Sequence, residues 1–285
     1  MTNFKNYKNL FWDLNHERLT LGGAMVLRME GELLANLNNL SKIELYIKQD
    51  NSNLIYPTKI IDSIFKTSKI DFIIKKGKPV SNHFWPSEKE MSKKGFSYYS
   101  FSRIIGLYNN KNIKVDLLWN ESLINKSKNF INKLDKKLIT IHLKRVSPFN
   151  VNESNANFGE WFKFLKSYNT DNNFLIIGDD EIDSKILNIS GVYSASNMSL
   201  SLSQQLCIIS LSEAFIGMAS GICNAANFSK VPHVIFKHPD HHRVEMKKEM
   251  GDSNKFNFSI NKQFLWRKEA NFDNISKAYN LICCK

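Results

Sequence analysis

The chain has 285 residues, 42% of them hydrophobic, and its 39 Lys and Arg against 27 Asp and Glu give a formal charge of +12. That length accommodates one large or two ordinary domains with buried cores. The first thirty residues hold no cationic start followed by an apolar core, and no apolar run approaches about 18 residues. The expectation is therefore a cytoplasmic protein with neither an ordinary export signal nor a membrane span. Four cysteines, two of them in predicted helices (Cys207, Cys223) and two at the end (Cys283, Cys284), make no disulfide framework, which fits a reducing compartment. The positive charge favours anionic partners, a phosphorylated substrate or an anionic membrane surface. Lysine is spread along the chain, with no Lys/Arg block interleaved with aromatics, so nucleic acid is not expected as a partner.

In the amino-terminal half, Leu10–Leu14 is a short apolar run containing Asp13, followed by a polar loop with His16, Glu17 and Gly22-Gly23. Apolar spacing predicts a helix over 24–37, a strand at 43–47, a helix from Pro57 and a strand at 72–74. Residues 77–95 read as a loop with one short helix, 115–119 as a strand and 121–134 as a helix. Strand, glycine-containing loop, helix, strand is a Rossmann-like order, although Gly22-Gly23 lacks the dinucleotide fingerprint.

The carboxyl-terminal half repeats the pattern. Residues 138–143 form a buried strand ending in Lys144-Arg145, a polar loop covers 146–157, and a helix spans 158–168. The strand at 174–177 ends in Gly178-Asp179-Asp180, and 191–193 is strand-like. Then come a helix carrying Leu202, Leu206 and Ile209, a strand at 214–217, an Ala219-Ser220-Gly221 turn, a helical start with Asn224, and a strand at 233–236. A capped helix covers 271–282. The fold class expected is α/β, with two Rossmann-like domains, 1–135 and 136–285, joined near Asp135-Lys136.

Three polar groups thus fall at carboxyl ends of strands, where open α/β sheets bind ligands. Taken singly, each has a plain structural reading. Ser220-Gly221 fits an N-cap and turn, Lys144-Arg145 a solvated basic pair, and Asp179-Asp180 a turn. Their recurrence at equivalent strand ends is what favours a site.

Two Rossmann-like halves closed by a final helix resemble the GT-B architecture of nucleotide-sugar glycosyltransferases. FIGMASGICNAA resembles the Ser-Gly turn of heptosyltransferase-type families, with Ala219 where an acidic residue is common. His142-Leu143-Lys144-Arg145 and Gly178-Asp179-Asp180 are similar to the His-x-Arg-Arg and Thr-Asp-Asp strand ends of fucosyltransferase-type families, with Lys144 replacing an arginine. The resemblance spans residues 138–236 and implies a cleft between the domains and a donor site of His142, Lys144, Arg145, Asp179, Asp180, Ser220, Gly221 and Asn224. It implies transfer of a sugar from a nucleotide-diphospho-sugar to a cell-surface glycan or lipid-linked acceptor, at the inner face of the membrane, with no divalent metal required.

Strand alternation prevents Lys144 and Arg145 from pointing the same way unless the strand has already ended, and Arg145 is the expected phosphate ligand because its fork can contact phosphate bidentately. Asp179 and Asp180 suit the ribose or base edge. For the base that takes the acceptor proton, the loop after the first strand offers Asp13, then Glu17, then His16. Gly22-Gly23 is expected to let the backbone approach the substrate. His238, Asp240, His241 and His242 form the most metal-like grouping, yet adjacent His241 and His242 are poorly placed to share one ion, and contact of a histidine or Arg243 with phosphate is the better reading. Two other classes compete: a nucleotide-sugar epimerase, which would turn over without an acceptor, and a non-catalytic module that binds nucleotide sugar or an anionic polymer.

Overall fold

A computed structural model describes residues 7–81, 83–111, 113–145 and 155–283. The chain forms two compact units that divide between Glu121 and Ser122. The division falls at the start of a helix, ahead of the junction expected at Asp135-Lys136.

In the first unit β1 (Asn9–Asp13), β2 (Lys42–Lys48), β3 (Asp71–Lys76) and β4 (Phe84–Trp85) make a parallel sheet in the order β3-β2-β1-β4. Helix α1 (Leu21–Leu37) joins β1 to β2, and α2 (Thr58–Ile64) joins β2 to β3. Helices α3 (Glu88–Met91) and α4 (Ser102–Lys111) follow β4. Every residue of α1 from Gly22 to Ala35 is buried. Two glycines permit this close packing: a Cβ on Gly23 would stand 2.5 Å from Trp12, and one on Gly31 2.7 Å from Leu10. Gly23 is thus occupied by helix–sheet packing, which corrects the expectation that it admits a substrate.

Three charges are buried in α1, and each is paired, as burial demands. Arg28 Nε donates to Glu32 Oε1 at 2.8 Å, and its other nitrogens donate to the carbonyls of Ile64 and Leu118. Glu30 accepts from Arg103 Nε and Trp85 Nε1, both at 2.8 Å. Burial raises the Glu30 pKa, with the Arg103 guanidinium opposing. The strand expected at 115–119 does not form. The Leu118 N–H donates to Glu32 and its carbonyl accepts from Arg28, so the segment is held by α1 side chains and makes a single bridge, Trp119 to Ser68.

The second unit opens with α5 (Glu121–Ile131) and contains a six-stranded parallel sheet in the order β10-β9-β8-β5-β6-β7. Its strands are β5 (Lys137–His142), β6 (Asn172–Ile176), β7 (Val192–Ser194), β8 (Ala214–Met218), β9 (His233–Phe236) and β10 (Gln263–Trp266). The helices are α6 (Phe158–Tyr168), α7 (Ser184–Leu187), α8 (Leu202–Leu211), α9 (Asn224–Asn227), α10 (Arg243–Met250) and α11 (Phe272–Cys283). Ile139, Ile141 and Leu143 pack with Trp161 and Phe164 of α6 and Ile275 and Ala278 of α11 in one core. Alternation turns Thr140 and His142 to the other face, where Thr140 Oγ1 meets Ser212 Oγ at 3.0 Å. Five elements were not expected: β4, α4, α7, α10 and β10. Cys207 and Cys223 are buried thiols outside any disulfide among the described residues. The loop residues 146–154 and Cys284 lie outside the described residues. Among the described residues no helix is long and apolar enough to cross a membrane.

Candidate functional site

In a doubly wound sheet the chain runs from the first strand to one side and then crosses to the other, leaving a crevice between the two central strands at their carboxyl ends. In the second unit that point lies between β5 and β8. Their register sets His142 opposite Gly217, and the β8–β9 register sets Met218 opposite Phe236. The ends of β5, β6, β8 and β9 therefore finish level, followed by Lys144-Arg145, Gly178-Asp179-Asp180, Ser220-Gly221 and Lys237-His238.

His142 is the pivot of this layer. The residue is 4% exposed. Nδ1 lies 2.9 Å from the Ile177 carbonyl, which only accepts, so Nδ1 carries the proton. Burial, with Lys144 nearby, lowers its pKa to about 4, against the Ile177 hydrogen bond and Asp179. A neutral ring that ties β5 to the end of β6 is a positioning group, with no imidazolium to offer a phosphate at neutral pH. Gly217 makes room for it, since a Cβ there would stand 2.9 Å from the backbone nitrogen of His142. Gly178 has φ +115°, a conformation that favours glycine, and its N–H donates to Gln205 Oε1 at 2.8 Å. Gln205, on α8, thereby fixes the β6 loop.

β5 ends at His142, and Leu143 still packs with Ile139 and Ile141. Lys144 is half-buried on the His142 side. Arg145 leaves on the α6 side, its guanidinium 5.9 Å from the Phe158 ring and 3.5 Å from the exposed Glu181. Burial depresses the Lys144 pKa, partly offset by Cys223 and Asp180. Lys237 is also lowered, by burial and then by Lys144, against Glu249, Cys223 and Glu245. Two half-buried ammonium groups thus follow these strand ends, and Lys144 adds to the burial that lowers Lys237. Geometry thus favours Lys144, rather than Arg145, as the inward cation.

Asp180 is half-buried, and burial raises its pKa against the Arg145 backbone N–H, while Asp179 is exposed. Ser220 is extended, and the residues after it form a single 3-10 turn (Gly221–Cys223) before the four-residue α9. Such a short element lacks the dipole of a full helix, so charge for an anion falls mainly to the lysines. The Cys223 thiol donates to the Met218 carbonyl at 3.1 Å, and burial raises its pKa to about 11. Asn224 is buried and accepts from Asn227 Nδ2 at 3.3 Å. A cavity of about 310 Å³ lies at the same edge, lined by Asn155, Asn157, Met218, His238, Lys268 and Asn271 among others. A wider one, about 540 Å³, sits at the amino ends of β5 and β6, around Lys136, Lys137 and Asp171. Open parallel sheets do not bind their ligands at that end.

In the first unit the point between β1 and β4 carries Asp13 at the end of β1. Asp13 Oδ1 accepts from the N–H and side chain of Asn15, both at 2.9 Å, and Oδ2 lies 3.6 Å from Lys48 Nζ. Both carboxylate oxygens of Glu17 are used, accepting from Ser97 Oγ and the Tyr98 N–H. His16 is exposed, with its ring 5.4 Å from Phe96. Among the described residues no group of three or more His, Cys, Asp or Glu is placed to hold a metal ion.

Sequence reasoning did not single out Lys237 or Gln205. Lys237 follows a strand end as Lys144 does, and that position was a usable signal. Gln205 is one of several polar residues on an amphipathic helix and carried none.

No protein-family model matches the sequence, and no curated protein matches it significantly. Solved structures do match in fold. A glycosyl transferase family 9 protein from Veillonella parvula superposes with a TM-score of 0.60 at 11% identity, covering 99% of this chain and 98% of that one. The E. coli heptosyltransferase WaaC with ADP gives 0.53 at 7% identity, covering 94% and 98%. WaaC with ADP-2-deoxy-2-fluoro heptose gives 0.50 at 8% identity, covering 95% and 99%. The two parallel sheets are therefore those of a GT-B-type α/β fold. None of the three is named as a fucosyltransferase.

Proposed function

We propose that this chain is a glycosyltransferase that moves a sugar from a nucleotide-diphospho-sugar to a cell-surface glycan or lipid-linked acceptor. The observation that carries this reading is the pair of half-buried lysines, Lys144 and Lys237, at strand ends beside the switch point of the second unit, on a fold shared with structures of heptosyltransferase type. The second unit binds the donor. Lys144 and Lys237 contact the diphosphate and offset the charge that grows on it as the glycosidic bond breaks. Such compensation acts mainly on the transition state, where it counts towards rate. The Ser220-Gly221 turn supplies backbone N–H groups, and Asp179 or Asp180 accepts from the ribose or base edge. His142, Gln205 and Gly217 hold the strand ends in place. These cations provide the compensation that a divalent metal supplies elsewhere.

The first unit serves the acceptor. Asp13 takes the proton of the attacking hydroxyl. Its carboxylate keeps one oxygen with only a distant lysine, whereas Glu17 has both oxygens engaged, and this supports Asp13 over Glu17 and His16. A tuned base of this kind contributes roughly 10²–10⁴-fold to rate.

The test is a thermal-shift panel of ADP, GDP, UDP, CDP and dTDP, followed by transfer assays with the corresponding nucleotide sugars. One nucleoside diphosphate should stabilise the wild type. Asp13→Asn should keep that stabilisation and lose transfer. Absence of stabilisation by any nucleotide would remove the donor reading, and turnover without an acceptor would favour an epimerase.

A further inference from the structure

The cavity of about 310 Å³ at the carboxyl edge of the second sheet adjoins the strand ends that carry the proposed donor site. Met218 and His238 belong to its wall. Met218 directly precedes the Ala219-Ser220-Gly221 turn, and His238 directly follows Lys237. Backbone bonds hold these ends level. The Ala219 N–H donates to the Phe236 carbonyl at 2.8 Å, and the Lys237 N–H to the Trp266 carbonyl at 2.9 Å. The rest of the wall comes from residues that lead into two helices, Asn157 before α6 and Lys268, Glu269, Ala270 and Asn271 before α11. The volume stands at the small end of the range for ligand pockets.

The chemistry of the lining narrows what fits. Asn157 Oδ1 accepts from the N–H groups of Gly159 and Glu160, at 3.1 and 3.4 Å, and Asn271 Oδ1 accepts from that of Asn274, at 2.9 Å. Each amide is thereby fixed by its own helix, and among the described residues neither Nδ2 has an acceptor. Lys268 Nζ lies 5.1 Å from the Trp266 ring and makes no ion pair among the described residues. Three side-chain donors are therefore available to a ligand. An anion is disfavoured, because two carboxylates share the wall. Glu160 accepts from Lys163 Nζ at 2.7 Å and from the Phe272 N–H at 2.8 Å, and Glu269 is exposed. A cation is disfavoured by Lys268 and by the surplus of donors. Hydroxyl groups both accept and donate, so a neutral ring that carries several of them can satisfy the amides, the ammonium and Glu269 together.

We infer that this cavity is the subsite for the sugar ring of the donor. Asn157, Asn271 and Lys268 donate to its hydroxyls, and Glu269 accepts from one. The inference rests on the donor reading above, and chain continuity supports it, since Lys237 and the Ser220-Gly221 turn adjoin His238 and Met218 of this wall. The subsite selects neutral sugars, because an acidic sugar would bring its own carboxylate to Glu160 and Glu269.

The test separates the ring from the nucleotide. Calorimetric titration compares ADP, GDP, UDP and dTDP with ADP-glucose, GDP-mannose, UDP-glucose and dTDP-glucose. One conjugate should bind the wild type about tenfold or more tightly than its bare diphosphate. Asn157→Asp and Asn271→Asp keep the oxygen that caps each helix and remove the Nδ2 donor, so the denaturation midpoint should hold. Each should lower the ratio of conjugate to diphosphate affinity by about two- to tenfold, the value of one hydrogen bond. Lys268→Met added to both should abolish the preference. Taking the ratio cancels any effect of the new charges on the diphosphate. A ratio unchanged in the triple variant, or a wild type that binds no conjugate better than its diphosphate, would overturn the inference and leave the donor reading intact. Binding of neither diphosphates nor conjugates would overturn both.

Discussion

The two sheets carry their polar residues at the same topological point and treat them in opposite ways. In the first unit charge is neutralised internally. Glu17 is bonded to Ser97 and Tyr98, Arg28 to Glu32, and Glu30 to Arg103 and Trp85. In the second unit two cations stand in one layer: Lys144 and Lys237 follow the ends of β5 and β9, and Lys144 adds to the burial that lowers the Lys237 pKa. A satisfied network rigidifies its surroundings, whereas like charges at neighbouring strand ends leave a field that an anion would relieve.

The sharpest way to break this comparison is to unbalance the first unit. Arg103→Met leaves Glu30 buried without its cation, and the expected cost is about 3–5 kcal/mol of folding stability, read from urea denaturation. A loss below about 1 kcal/mol would show that Glu30 is reached by water.

Acid should strike the second unit specifically. His142 and His233 are buried and neutral, each with its pKa lowered from 6.5 to about 4, while His16 and His83 in the first unit are exposed. The unfolded chain binds protons from pH 6.5 downward and the folded chain does not, so stability is fully present above 6.5 and falls as pH drops towards 4. The loss is up to about 3 kcal/mol per histidine. His233→Gln should flatten the pH dependence of the denaturation midpoint across that window. An unchanged slope would contradict the burial argument.

The smallest effect separates neighbours. Lys144→Met should weaken binding of the stabilising nucleoside diphosphate by about 10- to 100-fold, the value of a charge-assisted hydrogen bond. Arg145→Met should change it by about threefold or less, because its guanidinium is solvated beside Glu181. The reverse ranking would restore Arg145 as the phosphate ligand.

Much of the layout was legible in the sequence. The apolar runs at 10–14, 43–47, 138–143, 214–217 and 233–236 are strands because buried parallel strands read as continuous hydrophobic stretches. The strand ends at Lys144, Asp179 and Ser220 followed directly from where those runs stop. Five elements escaped because their signal is not local or is too short. The four residues of α7 make too short a run to show a period. The two residues of β4 are a strand only through pairing with β1. Gln263 hides β10, since its buried side chain is satisfied by the carbonyls of Ser229 and Val231. Arg103 sits on the buried face of α4 because Glu30 waits there. In α10 only Met246 and Met250 are buried, too sparse a stripe to stand out. Conversely, 115–119 looks like a strand and is not one, because side chains of α1 consume the backbone groups a sheet would need.

The sequence by itself determined the α/β alternation and which residues stand at strand ends, since both depend on periodicity and on the length of apolar runs. Only the tertiary structure decided which of those residues share a field. Lys144 was set apart from Arg145, which lies beside Glu181 and Phe158, strand pairing put Lys144 and Lys237 in one field, and Gly23 was packed against Trp12. Charge acts through space and falls off with distance, so a field shared by residues 144 and 237 exists only once the strands have paired.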